Sequence, residues 1–306
     1  MARITSRSEA LAQGYTDSEL RRMCRTGDLT RVRRGAYADS DDIANLSDQE
    51  RHLLLARAML TIGNPAPDAV LSHASAAIAH GIDLWNVPLS AVHVTRNRRT
   101  GGRTGRVRRV HASPYDADEV TDAAGFRSTT VSRTIADLAC CLPFEEAVCA
   151  ADDAARRLGL TGTQVEEILD RRPTRSGHAR ARRVALFMDA GSESVGESRS
   201  RVLLRDAGFA VSTQRIIQCS NTSYRVDFLV DGSKVIGEFD GRVKYGRLVP
   251  AGETPADVLW REKLREDALR DAGYTVVRWT WQDLATPSII IERIRRALAR
   301  DRTPLA

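Results

Sequence analysis

The chain reads Arg225-Val226-Asp227-Phe228-Leu229-Val230-Asp231-Gly232-Ser233-Lys234-Val235-Ile236-Gly237-Glu238-Phe239-Asp240-Gly241 across a segment of alternating apolar and polar side chains. Its centre, Asp231-Gly232, tolerates a positive φ angle and therefore predicts a turn between two antiparallel strands. Because successive side chains of a strand point to opposite faces, Val226, Phe228 and Val230 should share one face, with Asp227 on the other. The segment thus predicts an apolar hairpin that carries carboxylates on one face.

The length of the turn decides how these acids meet. A two-residue turn sets Asp227 diagonal to Glu238, at about 7–8 Å, whereas a four-residue turn places the two directly opposite each other. An odd turn or a bulge would put them on different faces. Carboxylates gathered on one face repel one another unless a cation lies among them, and Mg²⁺ (or Mn²⁺) prefers carboxylate oxygen and water. We therefore predict a metal site at Asp227, Glu238 and Asp240.

An ordinary surface ion pair is the alternative explanation for these acids. In the two-residue register Arg225 lies opposite Glu238, and a cross-strand ion pair would explain this acid without any metal. Acids are also common on the solvent-exposed face of an antiparallel sheet. The sequence leaves both interpretations open.

An upstream acid, Glu197, lies on a predicted helix before the pattern Asp-x(10)-Glu-x-Asp, and a helix and a strand follow the pattern. With these elements, residues 192–284 resemble the PD-(D/E)xK nuclease superfamily, and within it the Vsr-like very-short-patch-repair branch. The resemblance implies that Asp227 is the metal-binding Asp, that Glu238 is the second metal carboxylate, and that Glu197 is the acid of the first helix. It also implies an endonuclease that hydrolyses phosphodiester bonds with Mg²⁺.

One position departs from the superfamily pattern. The Lys usually found two residues after the Glu is Asp240 here, although Vsr-like members often lack that Lys. The residue that handles the proton is therefore unassigned, and Lys244 and Lys263 are the candidates. Lys244 is expected to stabilise charge on the phosphate or to help position the water. Glu197 has a second interpretation, because Ser194 and Glu197 have the spacing of a capping box and a helix cap would explain this acid.

The composition bounds the class of protein. A chain of 306 residues suggests two or three domains, and its net charge of +6 permits nucleic-acid binding. The five cysteines contain no C-x-x-C pair, which favours reduced thiols over a zinc site or disulfides. The amino terminus is polar and no long apolar run occurs, so we predict a cytoplasmic protein without a membrane partner.

The first forty residues are basic and turn-rich. Thr16-Asp17-Ser18-Glu19 is a capping box that opens a helix, Gly27 ends this helix, and a hairpin around Arg33-Arg34-Gly35 follows. The order helix, helix, hairpin predicts a minimal winged helix, for which a merely solvated basic surface is the alternative. The predicted contacts to DNA are Arg21, Arg22, Arg25, Arg31, Arg33 and Arg34.

This segment, with Gly-Tyr-Thr-Asp-Ser-Glu-Leu followed by Gly-Asp-Leu-Thr-Arg-Val-Arg-Arg-Gly-Ala-Tyr, resembles the amino-terminal domain of AbiEi-type antitoxins from type IV toxin–antitoxin systems. The resemblance implies DNA binding, often with autoregulation, and a cognate toxin protein as a possible partner. Residues 126–139 are similar to the same family, in which this segment opens a packed helix.

The middle of the chain offers a basic loop and two histidines. Residues 96–109 contain no acid, and ordering this loop on phosphate would engage Arg98, Arg99 and Arg103, whereas a flexible soluble tip is the alternative. His73 and His80 share a helical face, but no third ligand is evident, which favours ordinary core or cap histidines. Residues 172–177 are the best linker.

We therefore predict an α+β multidomain fold with a small winged helix at residues 1–40, a mixed α/β middle domain at 41–175 and an α/β/α restriction-endonuclease-like domain at 190–306. The predicted function is DNA binding combined with a Mg²⁺-dependent endonuclease. The alternative is a non-catalytic transcriptional regulator or antitoxin whose nuclease domain is degenerate.

Overall fold

The computed structural model describes residues 2–62, 66–172, 175–219, 222–241 and 254–301. The chain divides into two compact units, of which unit 1 comprises residues 1–150 and 160–186 and unit 2 comprises residues 151–159 and 187–306. Helices and mixed sheets occur in both, which confirms the predicted α+β multidomain class. The finer division into three domains stays a prediction.

The N-terminal part of unit 1 has the predicted order of helix, helix and hairpin. Its elements are β1 (Thr5–Ser6), α1 (Arg7–Ala12), α2 (Asp17–Thr26), β2 (Leu29–Arg33), β3 (Ala36–Asp39) and α3 (Ser40–Ala44). Helix α2 begins at the capping box of Thr16 and ends at Gly27, whose φ of 90° is accessible to glycine without steric cost. The strands form an antiparallel sheet in the order β1-β3-β2.

The chain continues through a second, larger sheet. The elements are α4 (Asp48–Thr61), β4 (Ala69–Leu71), α5 (His73–Ala79), β5 (Val92–Arg96), β6 (Arg103–Thr104), β7 (Arg108–Ala112), β8 (Val120–Ala123), β9 (Phe126–Thr129), α6 (Val131–Cys141), α7 (Phe144–Leu158), α8 (Gly162–Asp170) and α9 (His178–Phe187). The sheet order is β6-β7-β5-β4-β9-β8. The two strands predicted around the basic loop are present and run parallel, because β6 turns back and pairs antiparallel with β7.

Unit 2 contains the predicted hairpin at the centre of a four-stranded sheet. Its elements are α10 (Val195–Asp206), β10 (Val211–Cys219), β11 (Thr222–Val230), β12 (Val235–Asp240), α11 (Pro255–Asp271), β13 (Thr275–Thr280), α12 (Trp281–Leu284) and α13 (Pro287–Asp301). The order is β10-β11-β12-β13, with β13 parallel to β12 and the other pairs antiparallel. Among the described helices of the chain, none is both long and apolar enough to cross a membrane.

Helices cover both faces of this sheet, as expected for an α/β/α arrangement. On one face Phe228, Trp279 and Ile290 share a buried cluster with residues of α10 and α13. On the other face Val226 and Leu269 belong to a cluster that includes residues of α11. The predicted common face of Val226, Phe228 and Val230 is therefore wrong, because the alternation of side chains breaks at Asp227.

The turn of the hairpin has four residues. Phe228 pairs with Gly237 and Leu229 pairs with Ile236, so the turn spans residues 231–234. This is the longer of the two turns considered, for which the sequence predicts that Asp227 lies opposite Glu238. The pairing of β11 with β12 ends at Phe228 and Gly237, one residue before these two acids.

A buried ion pair joins the two sequence segments of unit 2. Arg201, on α10, bonds both carboxylate oxygens of Asp152 through Nη2, each at 2.7 Å. Arg201 is 3% exposed, and its guanidinium lies over the ring of Phe187 at 4.1 Å. Asp152 lies in the C-terminal half of α7, so this half-helix is part of the core of unit 2.

Candidate functional site

Asp227 is the central acid of the hairpin. Its Oδ2 accepts a hydrogen bond from the backbone N–H of Phe239 at 2.9 Å, which fixes the carboxylate toward β12. Burial raises the pKa of Asp227 to about 6, Glu197 and Glu238 add to this rise, and the Phe239 N–H and Arg265 oppose it. Asp227 is therefore a half-buried acid in mostly negative surroundings.

Glu197 is both a helix cap and a neighbour of Asp227. Its Oε1 accepts a hydrogen bond from Ser194 Oγ at 2.8 Å, and the N–H of Glu197 is capped in return by Ser194. Gln214, on β10, donates to Glu197 Oε2 at 3.1 Å and has a φ of 49°, which is rare for a residue with a side chain. A Cβ at Gly196 would lie 2.0 Å from the Phe239 ring, so glycine is required for this close approach of α10.

Glu238 is the acid with the most complete set of partners. It is 7% exposed, and Arg265 Nη2 lies 2.5 Å from its Oε1 while Arg278 Nε lies 3.2 Å from its Oε2. Arg225, the partner that the two-residue register would supply, instead binds Glu193 at 2.8 Å. The ion-pair alternative therefore holds for Glu238, with arginines from α11 and β13 in place of the one on β11.

The remaining predicted site residues of unit 2 are Asp240, Lys244 and Lys263. Asp240 is half-buried at the end of β12, where it pairs in register with Thr280. Lys244 lies outside the described residues. Lys263 is exposed on α11, and its Nζ lies 5.5 Å from the ring centroid of Trp260. The assignment of these acids and lysines to a metal site stays a prediction.

The predicted nucleic-acid contacts of the winged-helix segment fall into two groups. The side chains exposed to solvent are Arg21, Arg22, Arg25, Arg31 and Arg34. Arg33 is half-buried, and its Nη1 donates to the backbone oxygens of Ala58 and Ile62 at 3.2 and 3.3 Å, at the C-terminal end of α4. Arg33 therefore has a structural role that its sequence neighbours do not show.

The basic loop divides in the same way. Arg99 and Arg103 are exposed, whereas Arg98 is half-buried and its Nη2 donates to the backbone oxygen of Gly101 at 2.6 Å. The loop is thus partly ordered by its own arginine. Contacts with phosphate stay a prediction for all three.

Sequence reasoning missed a cluster of three histidines in unit 1. His73, His93 and His111 each bring one ring nitrogen within 4.8 Å of the other two. His80, which the sequence grouped with His73, points elsewhere and meets the backbone oxygen of Thr129 at 2.7 Å. The useful signal was one histidine on each of two neighbouring strands, combined with a third at the start of the helix that precedes these strands.

Comparison with known proteins gives one family match and several distant relatives. A family model described as "Transcriptional regulator, AbiEi antitoxin" matches residues 4–38, which confirms the resemblance of the N-terminal segment. Two proteins of Mycobacterium tuberculosis, "Uncharacterized protein MT2308" from strain CDC 1551 / Oshkosh and "Uncharacterized protein Rv2248" from strain H37Rv, are each 27% identical over 300 residues. The match covers 94% of this chain and 98% of each relative.

Two solved structures are also similar, both at 16% identity. The catalytic domain of the homing endonuclease I-Bth0305I aligns over 35% of this chain and 97% of its own length, with a TM-score of 0.27. The RV2827C protein from Mycobacterium tuberculosis aligns over 65% of this chain and 75% of its own length, with a TM-score of 0.41. Both likenesses are distant.

Proposed function

We propose that this chain binds DNA through its N-terminal arginines and cleaves phosphodiester bonds at a Mg²⁺-dependent site in unit 2. The position of Asp227 supports the enzymatic part. Its carboxylate is directed by the Phe239 N–H to a place where Glu197 and Glu238 both act on it electrostatically. The match of residues 4–38 to the AbiEi antitoxin model supports the DNA-binding part.

The acids suit the predicted ion, but one of them, Glu238, already forms ion pairs with two arginines. Carboxylate oxygens are the ligands that Mg²⁺ prefers, and Asp227, Glu238 and Asp240 would hold it with help from Glu197. Arg265 and Arg278 already bind Glu238 and would compete with the metal ion for it. At least one of these ion pairs must open before Glu238 can bind the ion.

In the proposed reaction, each residue of the chain has a separate task. Bound Mg²⁺ would act as a Lewis acid toward a phosphate oxygen and would lower the pKa of a water molecule. Asp227 is held in position by the backbone of β12, and Gln214 orients Glu197. Once released from Glu238, Arg265 would be free to stabilise negative charge on the phosphate, a task that the sequence assigned to Lys244.

Cleavage of supercoiled plasmid with Mg²⁺ or Mn²⁺ tests the proposal. We expect nicking that EDTA stops and that Asp227→Asn abolishes. The matched control is Asp231→Asn, which changes an exposed acid of the same hairpin that bonds Ser212 at 2.7 Å, and this variant should cut normally. Equal cutting by both variants would assign the activity to another site or to a contaminant.

The second candidate is a DNA-binding regulator without catalysis. The two arginines on Glu238 favour it, because a permanent ion pair would replace the charge that a metal supplies. The absence of the usual Lys two residues after Glu238 points the same way. A purified chain that shifts duplex DNA in a gel but never nicks it with either metal would establish this candidate and exclude the nuclease. Co-purification with a toxin encoded beside it would then identify an antitoxin.

A further inference from the structure

Three histidines of unit 1 converge from three separate elements. His73 is the first residue of α5, His93 lies on β5 and His111 lies on β7. In the parallel register of these strands, His93 pairs with Arg109 and Thr95 pairs with His111, so the two histidines are diagonal neighbours on one sheet face. His93 Nδ1 lies 3.2 Å from His111 Nε2.

His73 is the buried member of the cluster. It is 2% exposed, and its Nε2 is buried with no hydrogen-bond partner in the described structure. A buried polar nitrogen without a partner loses its hydration and gains nothing in return, so it calls for an explanation. The φ of His73 is 51°, in the left-handed region, so its backbone is held in an uncommon conformation that sets the direction of the ring.

The other nitrogen of His73 faces a carboxylate. His73 Nδ1 lies 3.0 Å from Ser72 Oγ and 3.9 Å from Asp137 Oδ2, an oxygen that also has no hydrogen-bond partner among the described residues. In histidine ligands of metals, the ring nitrogen that does not bind the metal usually donates a hydrogen bond to a carboxylate or a carbonyl. Asp137 is placed to orient His73 in this way, and Arg133 and Arg175 hold Asp137 by its other oxygen.

We propose that His73, His93 and His111 bind a transition-metal ion, with Zn²⁺ as the expected occupant. Two nitrogen ligands at about 2.1 Å from a tetrahedral ion lie about 3.4 Å apart, close to the separation between His93 and His111. Three neutral imidazoles suit Zn²⁺, Cu²⁺ or Ni²⁺ and do not suit Mg²⁺. This site is chemically distinct from the carboxylates of unit 2.

Coordination requires one local movement. The rings of His73 and His111 are stacked at 3.7 Å with their planes 15° apart, so one ring must rotate until both lone pairs meet at the ion. His111 also lines a cleft of about 700 Å³, together with Arg109, Arg172 and Arg175. A site with three protein ligands and an open fourth position takes a water molecule or a small anion there.

Titration of Zn²⁺ into the full-length, tag-free and metal-depleted chain tests the proposal by calorimetry. We expect a Zn²⁺ site whose affinity falls at least tenfold in His93→Gln and in His111→Gln, both of which change half-buried residues. The matched control is His80→Gln, whose ring bonds a backbone oxygen outside the cluster. This control variant should bind Zn²⁺ as the parent chain does.

Co²⁺ provides an independent readout. Its visible absorption should show tetrahedral nitrogen coordination and no thiolate band, since the proposal uses none of the cysteines. No Zn²⁺ binding by the parent chain, unchanged affinity in both cluster variants, or loss in His80→Gln would each overturn the proposal. Circular dichroism of every variant confirms that the comparison is made between folded proteins.

Discussion

Arg265 Nη2 donates hydrogen bonds both to Glu238 Oε1, at 2.5 Å, and to the backbone oxygen of Arg225, at 2.9 Å. One guanidinium of α11 therefore holds a side chain of β12 and the backbone of β11 together. Arg265 also acts on Asp227, whose pKa it lowers against the larger rise caused by burial. A metal and this arginine should compete.

Replacing Arg265 by Gln should strengthen divalent-ion binding, because a positive charge beside Glu238 is removed. We expect Mn²⁺ affinity to rise by roughly 3- to 10-fold, the effect of about 1 kcal/mol. Arg270→Gln is the matched control, since Arg270 is an exposed residue of the same helix that pairs with Glu266. Mn²⁺ binding can be followed by electron paramagnetic resonance. An unchanged or lower affinity in Arg265→Gln would show that the two cations do not compete.

Asp227→Asn should change the pH dependence of stability in EDTA. The folded pKa of Asp227 is about 6, above its ordinary value of 3.8, so the folded state binds more protons between these values. The contribution of Asp227 to stability is therefore lost as the pH rises from about 4 to 6. Asn carries no charge, so the variant should gain on the order of 1–2 kcal/mol at pH 7.5 and nothing at pH 4.

Paired thermal melts at these two pH values measure the effect of Asp227→Asn. Asp231→Asn serves as the control, because its carboxylate is exposed at the turn and no such gain is expected. The same difference in melting temperature at both pH values would contradict a raised pKa for Asp227.

Arg33 and Arg34 are adjacent but should respond differently to substitution. Arg34→Gln should weaken binding to duplex DNA irrespective of sequence and should lower the slope of log affinity against log salt by about 0.9, because one phosphate contact is lost. Arg33→Gln should lower the melting temperature, because Arg33 bonds two carbonyls at the end of α4. Its salt slope should stay near that of the parent chain. An equal decrease of the salt slope in Arg33→Gln and Arg34→Gln would contradict the assignment of different roles to these two residues.

Arg133→Met should strongly destabilise unit 1. Arg133 is fully buried and binds Glu119 Oε2 and Asp137 Oδ1, each at 2.9 Å. Removing it leaves these two acids with less compensation in the interior, which costs about 3–5 kcal/mol for a buried pair. Arg7→Met breaks the exposed pair with Asp17 and should leave the denaturation midpoint nearly unchanged. Similar urea midpoints for the two variants would contradict this prediction.

The parts of the fold that local chemistry determines could be predicted from the sequence. The capping boxes at Thr16 and Ser47 begin helices, and Gly27 ends one, because each of these signals acts within a few residues. The carboxylate hairpin was also predictable from the two strand-like segments on either side of Asp231-Gly232, although the alternation of side chains breaks at Asp227. Its register was not, because Asp231-Gly232 permits turns of more than one length and packing by both sheet faces selects among them.

The candidate sites depend on partners that are distant in sequence. Glu238 is bound by Arg265 and Arg278, which follow it by 27 and 40 residues. No local sequence pattern therefore predicts either ion pair. The histidine cluster likewise unites three elements whose sequence separation exceeds any helical or strand period. His93 and His111 can be recognised as neighbours only once the pairing of β5 with β7 is known.

Because of Asp152, the core of the C-terminal unit depends on a segment that precedes the predicted linker. A fragment beginning after the predicted linker at residues 172–177 would keep Arg201 and lose the carboxylate that neutralises it. Such a fragment would contain an incomplete core. A fragment that keeps the core of unit 2 intact must also contain the second half of α7.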